Sequence, residues 1–514
     1  MGASRACERV FPKVDLQNRW GAEFGVPIDF EDWEMKRTKV TLIFPLNPEP
    51  NLADQVVMPM YGLPLLATLV RDRGHDVEVF IERVGPIDWN RVAESDLVGF
   101  TLISPCWDRL RKLATQIHET WSIPIVVGGT FATYMADEIL TRLPFLVVVK
   151  GEGDETLPEL VEGIATGRDL SEIRGIAYAE DGEIVHTPER GYVSSFETIP
   201  DYSLVRGYDE LARVPKWLAV RRRLLPLPTL QTSRGCPHTC SFCVVTRMFG
   251  SAYRTRSIES VLEDLRRRRK YSDSFFIVDN YFTANPPRTK KLLESIIRQN
   301  LGINFLAFSR FEVAEDPEML DLLRRAGVRT LLIGFESLNN ESLRSLGKGI
   351  DRTYIEGAVE RLHAGRIRMF ASFIVGLESD TIDSCQEIFD FARKARLDGF
   401  WIFPKFVMPT DKAGEDKKRR IVEDWRYFNG NYVVYFPKNV KPSLLQREIL
   451  RVHREASAGR QILRHLLQGR FQVAAQGQSL RGRIRELERS VSGYLPLLEA
   501  AERGRYTAEG RFIE

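Results

Sequence analysis

The sequence predicts an α/β protein of two successive domains. A Rossmann-like, doubly wound parallel sheet comes first, then a partial (β/α)6 barrel and a helical C-terminal region. Three observations carry this expectation. From Lys39 onwards, short continuously apolar runs alternate with amphipathic segments; the same alternation resumes at Thr229 after a proline-marked stretch; and strand signals cease at about Ser443. Apolar strands separated by helices belong to parallel sheets covered on both faces. A length of 514 residues also exceeds what one core ordinarily serves.

In the first domain the expected strands are Val40–Phe44, Val77–Phe80, Leu97–Ile103, Ile125–Val127 and Leu146–Val149. Helical patterns cover Tyr61–Arg73, Trp107–Thr120, Ala136–Arg142 and Thr156–Ile164, and Ile176–Thr187 reads as a hairpin turning at Asp181-Gly182. Polar and glycine signals fall in the loops Pro45–Pro50, Ser104-Pro105, Gly128-Gly129-Thr130 and Gly151-Glu152-Gly153-Asp154. In a doubly wound sheet these loops share the carboxyl edge, where ligands bind. A glycine there lets backbone approach a ligand, although each could merely permit a tight turn.

Pro188, Pro200, Pro215, Pro226 and Pro228 mark an interdomain connection. Barrel strands are expected at Thr229–Thr232, Phe275–Val278, Asn304–Phe308, Thr330–Ile333, Met369–Val375 and Gly399–Phe403. The helices between them are Ser257–Arg269, Thr289–Arg298, Pro317–Ala326, Tyr354–Ala364 and Asp380–Lys394. Six units make an open arc, not a closed eight-stranded barrel. The expected divisions are an N-terminal extension (1–37), the sheet domain (38–187), a linker (188–228), the barrel (229–425) and the helical region (426–514).

Composition narrows the function classes. Hydrophobic residues at 43% and charged residues at 28% suit a globular chain, and a net charge of +3 is too small to imply nucleic acid as partner. No apolar run is long enough for a transmembrane helix, and the charged N-terminus has no signal-peptide core, so a cytoplasmic protein is expected. Of six cysteines, Cys236, Cys240 and Cys243 lie together, whereas Cys7, Cys106 and Cys385 are scattered. That spacing fits a metal site better than a disulfide framework.

The chemistry is concentrated in Ser233-Arg234-Gly235-Cys236-Pro237-His238-Thr239-Cys240-Ser241-Phe242-Cys243, after the first barrel strand. Three thiolates at this spacing can wrap an iron–sulfur cluster and leave one iron open. The bland alternative is structural zinc, which closes its shell with four ligands. His238 is an awkward fourth ligand, since it lies within the loop its neighbours would wrap.

The C-x3-C-x-aromatic-C pattern resembles the signature of the radical S-adenosylmethionine (SAM) superfamily. The resemblance implies a [4Fe-4S] cluster on Cys236, Cys240 and Cys243, with the open iron binding SAM and electron transfer yielding a 5′-deoxyadenosyl radical. It further implies SAM contacts from Phe242, from Asp279 and Asn280 in Val278-Asp279-Asn280-Tyr281-Phe282, from Ser309-Arg310, from Glu336 and Ser337 in Gly334-Phe335-Glu336-Ser337, and from Ile374 in Ser372-Phe373-Ile374-Val375-Gly376. Val278 stands where the subgroup often has Asp, and Ser372 where it has Gly. Phe403-Pro404-Lys405-Phe406 departs from the usual P-x-P-G-T pattern.

The first domain resembles the cobalamin-binding domain fused upstream of many such enzymes, most closely through Val127–Thr133 and Gly151–Thr156. The implied cobalamin contacts are Ser104, Gly128, Gly129, Thr130, Phe131, Gly151, Glu152 and Gly153. No D-x-H-x-x-G loop follows the first strand, where Asn47-Pro48-Glu49-Pro50 stands instead, so no histidine is expected below cobalt. His75 reads as a helix-end or surface residue, and Cys106 as a small buried thiol.

The resemblance makes methylation of an unactivated carbon the leading expectation. Cyclisation or oxidative rearrangement without methyl transfer is the alternative. A third reading, from another class, is a sensor domain joined to a structural metal protein. Expected partners are an external reductant such as flavodoxin or ferredoxin and a small-molecule substrate. A lipid, tetrapyrrole or natural product is favoured for the substrate, with no catalytic side chain assigned beyond the cluster ligands. Residues 441–514 carry fourteen Lys/Arg against eight Asp/Glu, and Arg221-Arg222-Arg223 adds a basic run. A solvated helix face is the simpler reading of such charge, an acidic head group or membrane surface the other.

Overall fold

Five parallel strands, β1 (Lys39–Phe44), β2 (Asp76–Ile81), β3 (Leu97–Thr101), β4 (Ile125–Gly128) and β5 (Leu146–Val149), lie in the order β2-β1-β3-β4-β5. The computed structural model describes residues 37–52, 61–214, 227–406, 418–458, 471–507 and 510–513. Cys7, the Arg221–Arg223 run and nearly all of the N-terminal extension lie outside them. Strand order reverses between β1 and β3, which marks the switch point where doubly wound sheets take ligands. The strands are buried on both faces, as their continuous apolar runs require; all four residues of β5 are buried. The helix Trp107–Trp121 buries Trp107, Leu110, Leu113, Ala114 and Ile117, a single stripe at helical spacing.

The hairpin turning at Asp181-Gly182 forms, as β6 (Ile176–Glu180) and β7 (Glu183–His186). It is not separate from the sheet: β6 pairs antiparallel with β5, and seven strands result. The proline-marked connection also starts later than expected. Val193 N donates to Glu152 Oε2 (2.7 Å), Asp201 N to Thr68 Oγ1 (2.8 Å) and Arg206 N to Val79 O (2.9 Å), so residues 188–211 pack onto this first unit. Two five-residue helices, Trp89–Ala93 and Thr130–Tyr134, are too short to show a period in sequence.

His75 corrects one expectation. It is 4% exposed, and its Nδ1 accepts from Thr38 N at 3.4 Å, which ties the entry of β1 to the entry of β2. A glycine-preceded His after a helix reads as surface, but the following strand pulls it inside.

The second unit contains a six-stranded parallel sheet in the order β15-β14-β13-β12-β11-β8. Its strands are β8 (Thr229–Leu230), β11 (Ser274–Ile277), β12 (Asn304–Ser309), β13 (Val328–Glu336), β14 (Arg368–Val375) and β15 (Gly399–Pro404). A two-stranded antiparallel pair, β9 (Ser233–Arg234) with β10 (Arg254–Thr255), brackets the cysteine loop. Phe335, at the centre of the inner aromatic packing, meets Phe311 at 4.6 Å and Phe373 at 5.1 Å between ring centroids. The expected helical region contains the helices Pro442–Ala456 and Phe471–Ala501.

Residues 47–52, which follow β1 in sequence, belong with this second unit. Glu49 Oε2 accepts from Tyr432 OH (3.1 Å) and Ser490 Oγ (2.6 Å); Asn51 Nδ2 donates to Asn429 O (3.0 Å), and Leu52 N to Asn431 Oδ1 (3.4 Å).

One buried group makes stability depend on pH. His453 on Pro442–Ala456 is 1% exposed, stacks on Phe400 and, among the described residues, hydrogen-bonds the backbone of Ile402, so burial pushes its pKa down to about 4. Unfolded His binds its proton near 6.5, so the unfolded chain takes up more protons as pH falls from there. Stability unaffected by this group above pH 7 should fall by roughly 3 kcal/mol between pH 6.5 and 4. Denaturant midpoints of wild type and His453→Gln, compared at pH 7.5 and 5, should converge as pH drops; parallel profiles would contradict this.

Candidate active site

The carboxyl edge of the six-stranded sheet gathers the motifs singled out in the sequence. The cysteine loop follows β8 and β9, Asn280 follows β11, Ser309 ends β12, Glu336 ends β13, and Ile374 is the penultimate residue of β14. Parallel strands put all these ends on one side.

The loop is fixed before the first cysteine. Gly235 has φ +86°, and a Cβ there would fall on the carbonyl oxygen of Ala252, so only glycine fits. Cys236 N donates to Gly250 O (3.4 Å), Ser241 N to Leu346 O (3.3 Å) and Cys243 N to Cys240 O (3.1 Å). The three thiols are half-buried, and Phe242 between two of them is 40% exposed. Burial pushes the Cys236 and Cys243 thiols up, while Arg310 and Lys348 pull Cys236 down. Iron must therefore displace their protons, as cluster assembly does. Among the described residues no three His, Cys, Asp or Glu side chains converge on a single ion. A four-iron cluster makes no such demand, because its ligands attach to different irons.

Asp279 does not face the site. It is fully buried: Oδ1 accepts from Thr232 N (2.6 Å), and Oδ2 accepts from Thr232 Oγ1 (2.6 Å) and Ser233 Oγ (2.7 Å). Arg288 adds a second clamp on Thr232, through Oγ1 (2.9 Å) and the carbonyl (3.1 Å). Asp279 therefore anchors the strand end that carries the cysteine loop. The sequence motif located the residue and misread its direction.

Glu336, 7% exposed, sits at φ +63°, where β13 shifts register against β14. Its Oε1 pairs with buried Lys348 Nζ at 3.1 Å. The carboxylate folds back over Gly334: a Cβ at 334 would overlap Glu336 Oε1 and come within 3.1 Å of Lys348 Nζ. A side chain at 334 would therefore have to push the Glu336 carboxylate out of its present position. Ser337 Oγ accepts from Asn339 N (3.1 Å), and Ser309 Oγ shares a hydrogen bond with Thr283 Oγ1 (2.8 Å). Asn280 and Ile374 are half-buried at their strand ends. Burial and Arg310 push the His238 pKa down, and its ring stands 4.0 Å from Glu312. Sequence reading missed Lys348, Glu312 and Arg288. Only the isolated Lys in Gly347-Lys348-Gly349 offered a signal.

In the first unit, Gly128, Gly129 and Thr130 close β4, while Gly151, Glu152 and Gly153 follow β5. Gly129 has φ +101°, and a Cβ there would stand 2.8 Å from Leu102 O. The backbone of Leu102, just after β3, thus constrains this position. Phe131 is 1% exposed and packs on Trp107, and Glu152 accepts from Val193 N, so both are turned into the fold. Ser104 is buried in the turn after β3; Gly128, Thr130, Gly151 and Gly153 are half-buried. Gly151 N donates to Thr133 Oγ1 (3.0 Å). Cys106 is buried, with Sγ 3.3 Å from Pro45 O.

Residues 230–392 match the family model for the radical SAM superfamily, and residues 54–161 the model for the B12 binding domain. The chain is a B12-binding radical SAM protein. It is 29% identical over 395 residues to an uncharacterized methyltransferase of Pyrococcus horikoshii, covering 74% of this chain and 82% of that one. It is 26% identical to the bacteriochlorophyllide d C-12(1)-methyltransferase of Chlorobaculum tepidum, covering 84% and 90%. Identity is also 26% to the anaerobic magnesium-protoporphyrin IX monomethyl ester cyclase of Synechocystis, covering 73% and 77%. Among solved structures, the radical SAM methyltransferase TsrM from Kitasatospora setae, with cobalamin and a [4Fe-4S] cluster bound, superposes with a TM-score of 0.58 at 22% identity. That superposition covers 72% of this chain and 75% of TsrM, and shows a shared fold. The radical SAM reading thus rests on two domains in one chain, which disfavours the sensor-plus-structural-metal reading. No helix among the described residues is long and apolar enough to cross a membrane.

Proposed function

We propose that this radical SAM protein methylates an unactivated carbon of an apolar small molecule in the cytoplasm, drawing electrons from flavodoxin or ferredoxin. The observation that carries the reading is the convergence of Cys236, Cys240 and Cys243 with Glu336, Lys348 and Arg310 on one sheet edge, in a chain whose upstream domain matches B12-binding proteins. When bound, the cluster supplies one electron to cleave SAM, and cobalamin supplies the methyl group.

In this reading Cys236, Cys240 and Cys243 hold the cluster, and Phe242 shields it. Asn280, Ser309, Arg310, Glu336, Ser337 and Ile374 orient SAM. Asp279 and Arg288 position the loop. Lys348 holds the Glu336 carboxylate in place. Ser104, Gly128, Thr130, Gly151 and Gly153 border cobalamin, with Gly129 setting their backbone. The proposed divisions are the sheet domain at 38–187, with residues 188–211 packed onto it and 47–52 belonging to the second unit, the barrel at 229–425 and the helical region at 426–514. Cyclisation without methyl transfer is the second reading, favoured by the similarity to the Synechocystis cyclase.

The test uses SAM, cobalamin and candidate tetrapyrroles or polycyclic lipids under anaerobic conditions, read by product mass. Gain of one methyl supports the first reading, and loss of hydrogen the second. Thr130→Trp, at a half-buried site beside the glycine turn, should still release 5′-deoxyadenosine while methylated product falls at least tenfold. Unchanged product would place cobalamin elsewhere. Gly129→Ala is not a binding test, because strain at positive φ and the clash with Leu102 should cost about 1–3 kcal/mol of fold stability.

A further inference from the structure

Arg310 is held on three sides. Nε donates to both oxygens of Glu312 (3.0 and 3.3 Å), Nη2 donates to the Lys348 carbonyl (3.0 Å), and Nη1 stands 3.6 Å from Cys240 Sγ. The side chain is 12% exposed, so this orientation is fixed by packing as well as by its partners. A guanidinium is a permanent cation with a rigid fork of donors.

A donor and a positive charge at a cysteine sulfur bear on a cluster in a definite direction. Reduction of a [4Fe-4S] centre from 2+ to 1+ adds one electron and no proton, and the extra negative charge spreads onto the sulfurs. Hydrogen bonds to those sulfurs are among the factors that set cluster potentials. A charge-assisted donor is about twice as strong as a neutral one. Glu312 offsets part of the charge; the geometry of the N–H···S contact is what its pairing fixes.

We propose that Arg310 is a positioning and tuning residue for the cluster, donating to the Cys240 sulfur and making the cluster easier to reduce. This rests on the reading that Cys236, Cys240 and Cys243 hold a four-iron cluster. It is separable from any contact Arg310 makes with SAM, since one N–H on each terminal nitrogen is left for a carboxylate.

The test is the midpoint potential of anaerobically purified protein, titrated with titanium(III) citrate and followed by electron paramagnetic resonance, with SAM omitted. Iron and sulfide are measured on the same samples. Arg310→Gln should retain its iron and be at least tenfold harder to reduce, a shift of about 59 mV to lower potential for one electron. Arg310→Lys, which keeps the charge without the fork, should shift less in the same direction. Arg310→Gln with full iron and the wild-type potential overturns the proposal, whatever happens to SAM affinity. If Arg310→Gln loses its iron, Arg310→Lys decides, and an unchanged potential there overturns it equally. Wild-type protein without iron and sulfide would remove the underlying cluster reading, a failure distinct from either.

Discussion

Cys236→Ala, Cys240→Ala and Cys243→Ala should each yield protein with far less than the about four irons per chain expected of the wild type, and no measurable 5′-deoxyadenosine. The size of the effect follows from ligand count. Three thiolates already leave one iron open for SAM, so removing any of them leaves a cluster attached at two corners. The loop gives no substitute, since His238, its one other good donor to iron, stands beside Glu312 and the Tyr281 ring. Cys385→Ala is the matched control. Cys385 lies buried in the helix Ser384–Lys394, outside the cysteine loop, and burial pushes its thiol up to about 12, so it stays protonated. That variant should keep its iron and cleave SAM. Iron retained in all three loop variants, or stoichiometric zinc without sulfide in the wild type, would end the cluster reading.

A large loss of stability is expected from Asp264→Ala. Asp264 has no exposed side-chain surface and lies between two arginines, 2.8 Å from Arg256 Nη1 and 2.5 Å from Arg268 Nε. Arg256 also donates to Gln231 O (3.0 Å) and Arg268 to Thr229 O, so the triad fastens the two-residue strand that leads into the cysteine loop. Alanine would strand two guanidiniums without counter-charge in the interior. Breaking a buried pair costs about 3–5 kcal/mol, because the remaining charge stays desolvated. Removing all three charges together, as Arg256→Met, Asp264→Leu and Arg268→Met, should recover much of that loss. Denaturant midpoints measure both, and a loss under about 1 kcal/mol for Asp264→Ala would show that the arginines reach water.

That triad also marks where sequence reading stops. Glu259, Asp264, Arg266, Arg267 and Arg268 look alike on an amphipathic helix, and a carboxylate four residues before an arginine reads as a solvated pair. Tertiary packing alone distinguishes Asp264 and Arg268, which are buried, from Arg267, whose side chain is 62% exposed. The parallel strands were legible because burial on both faces leaves continuous apolar runs such as Leu146–Val149. Their pairing partners were not: nothing in Ile176–Glu180 says that it lies antiparallel against β5. At the site, glycine spacing located Gly334, Glu336 and the cysteines. Spacing could not tell that Asp279 points back at Thr232, or that Lys348 twelve residues on meets Glu336. Sequence patterns report which strand end a residue occupies, while the direction of its side chain depends on neighbours brought from elsewhere.

The pairing of Glu49 with Tyr432 and Ser490 spans 383 and 441 residues of sequence. On a ribosome adding roughly 5–20 residues per second, Glu49 would wait on the order of 20–90 s for Ser490 to be made. The strand just before it needs only partners near in sequence, such as β2 and β3, and can be assembled long before. A barrel excised at residue 212 would never receive the 47–52 segment at all. It would leave the Tyr432 and Ser490 hydroxyls bonded to each other (2.8 Å) without the Glu49 carboxylate, and the Asn431 amide oxygen without the Leu52 N–H. Dissection of this chain into halves should therefore carry residues 47–52 with the C-terminal piece, joined by a linker, to preserve what the intact polypeptide closes last.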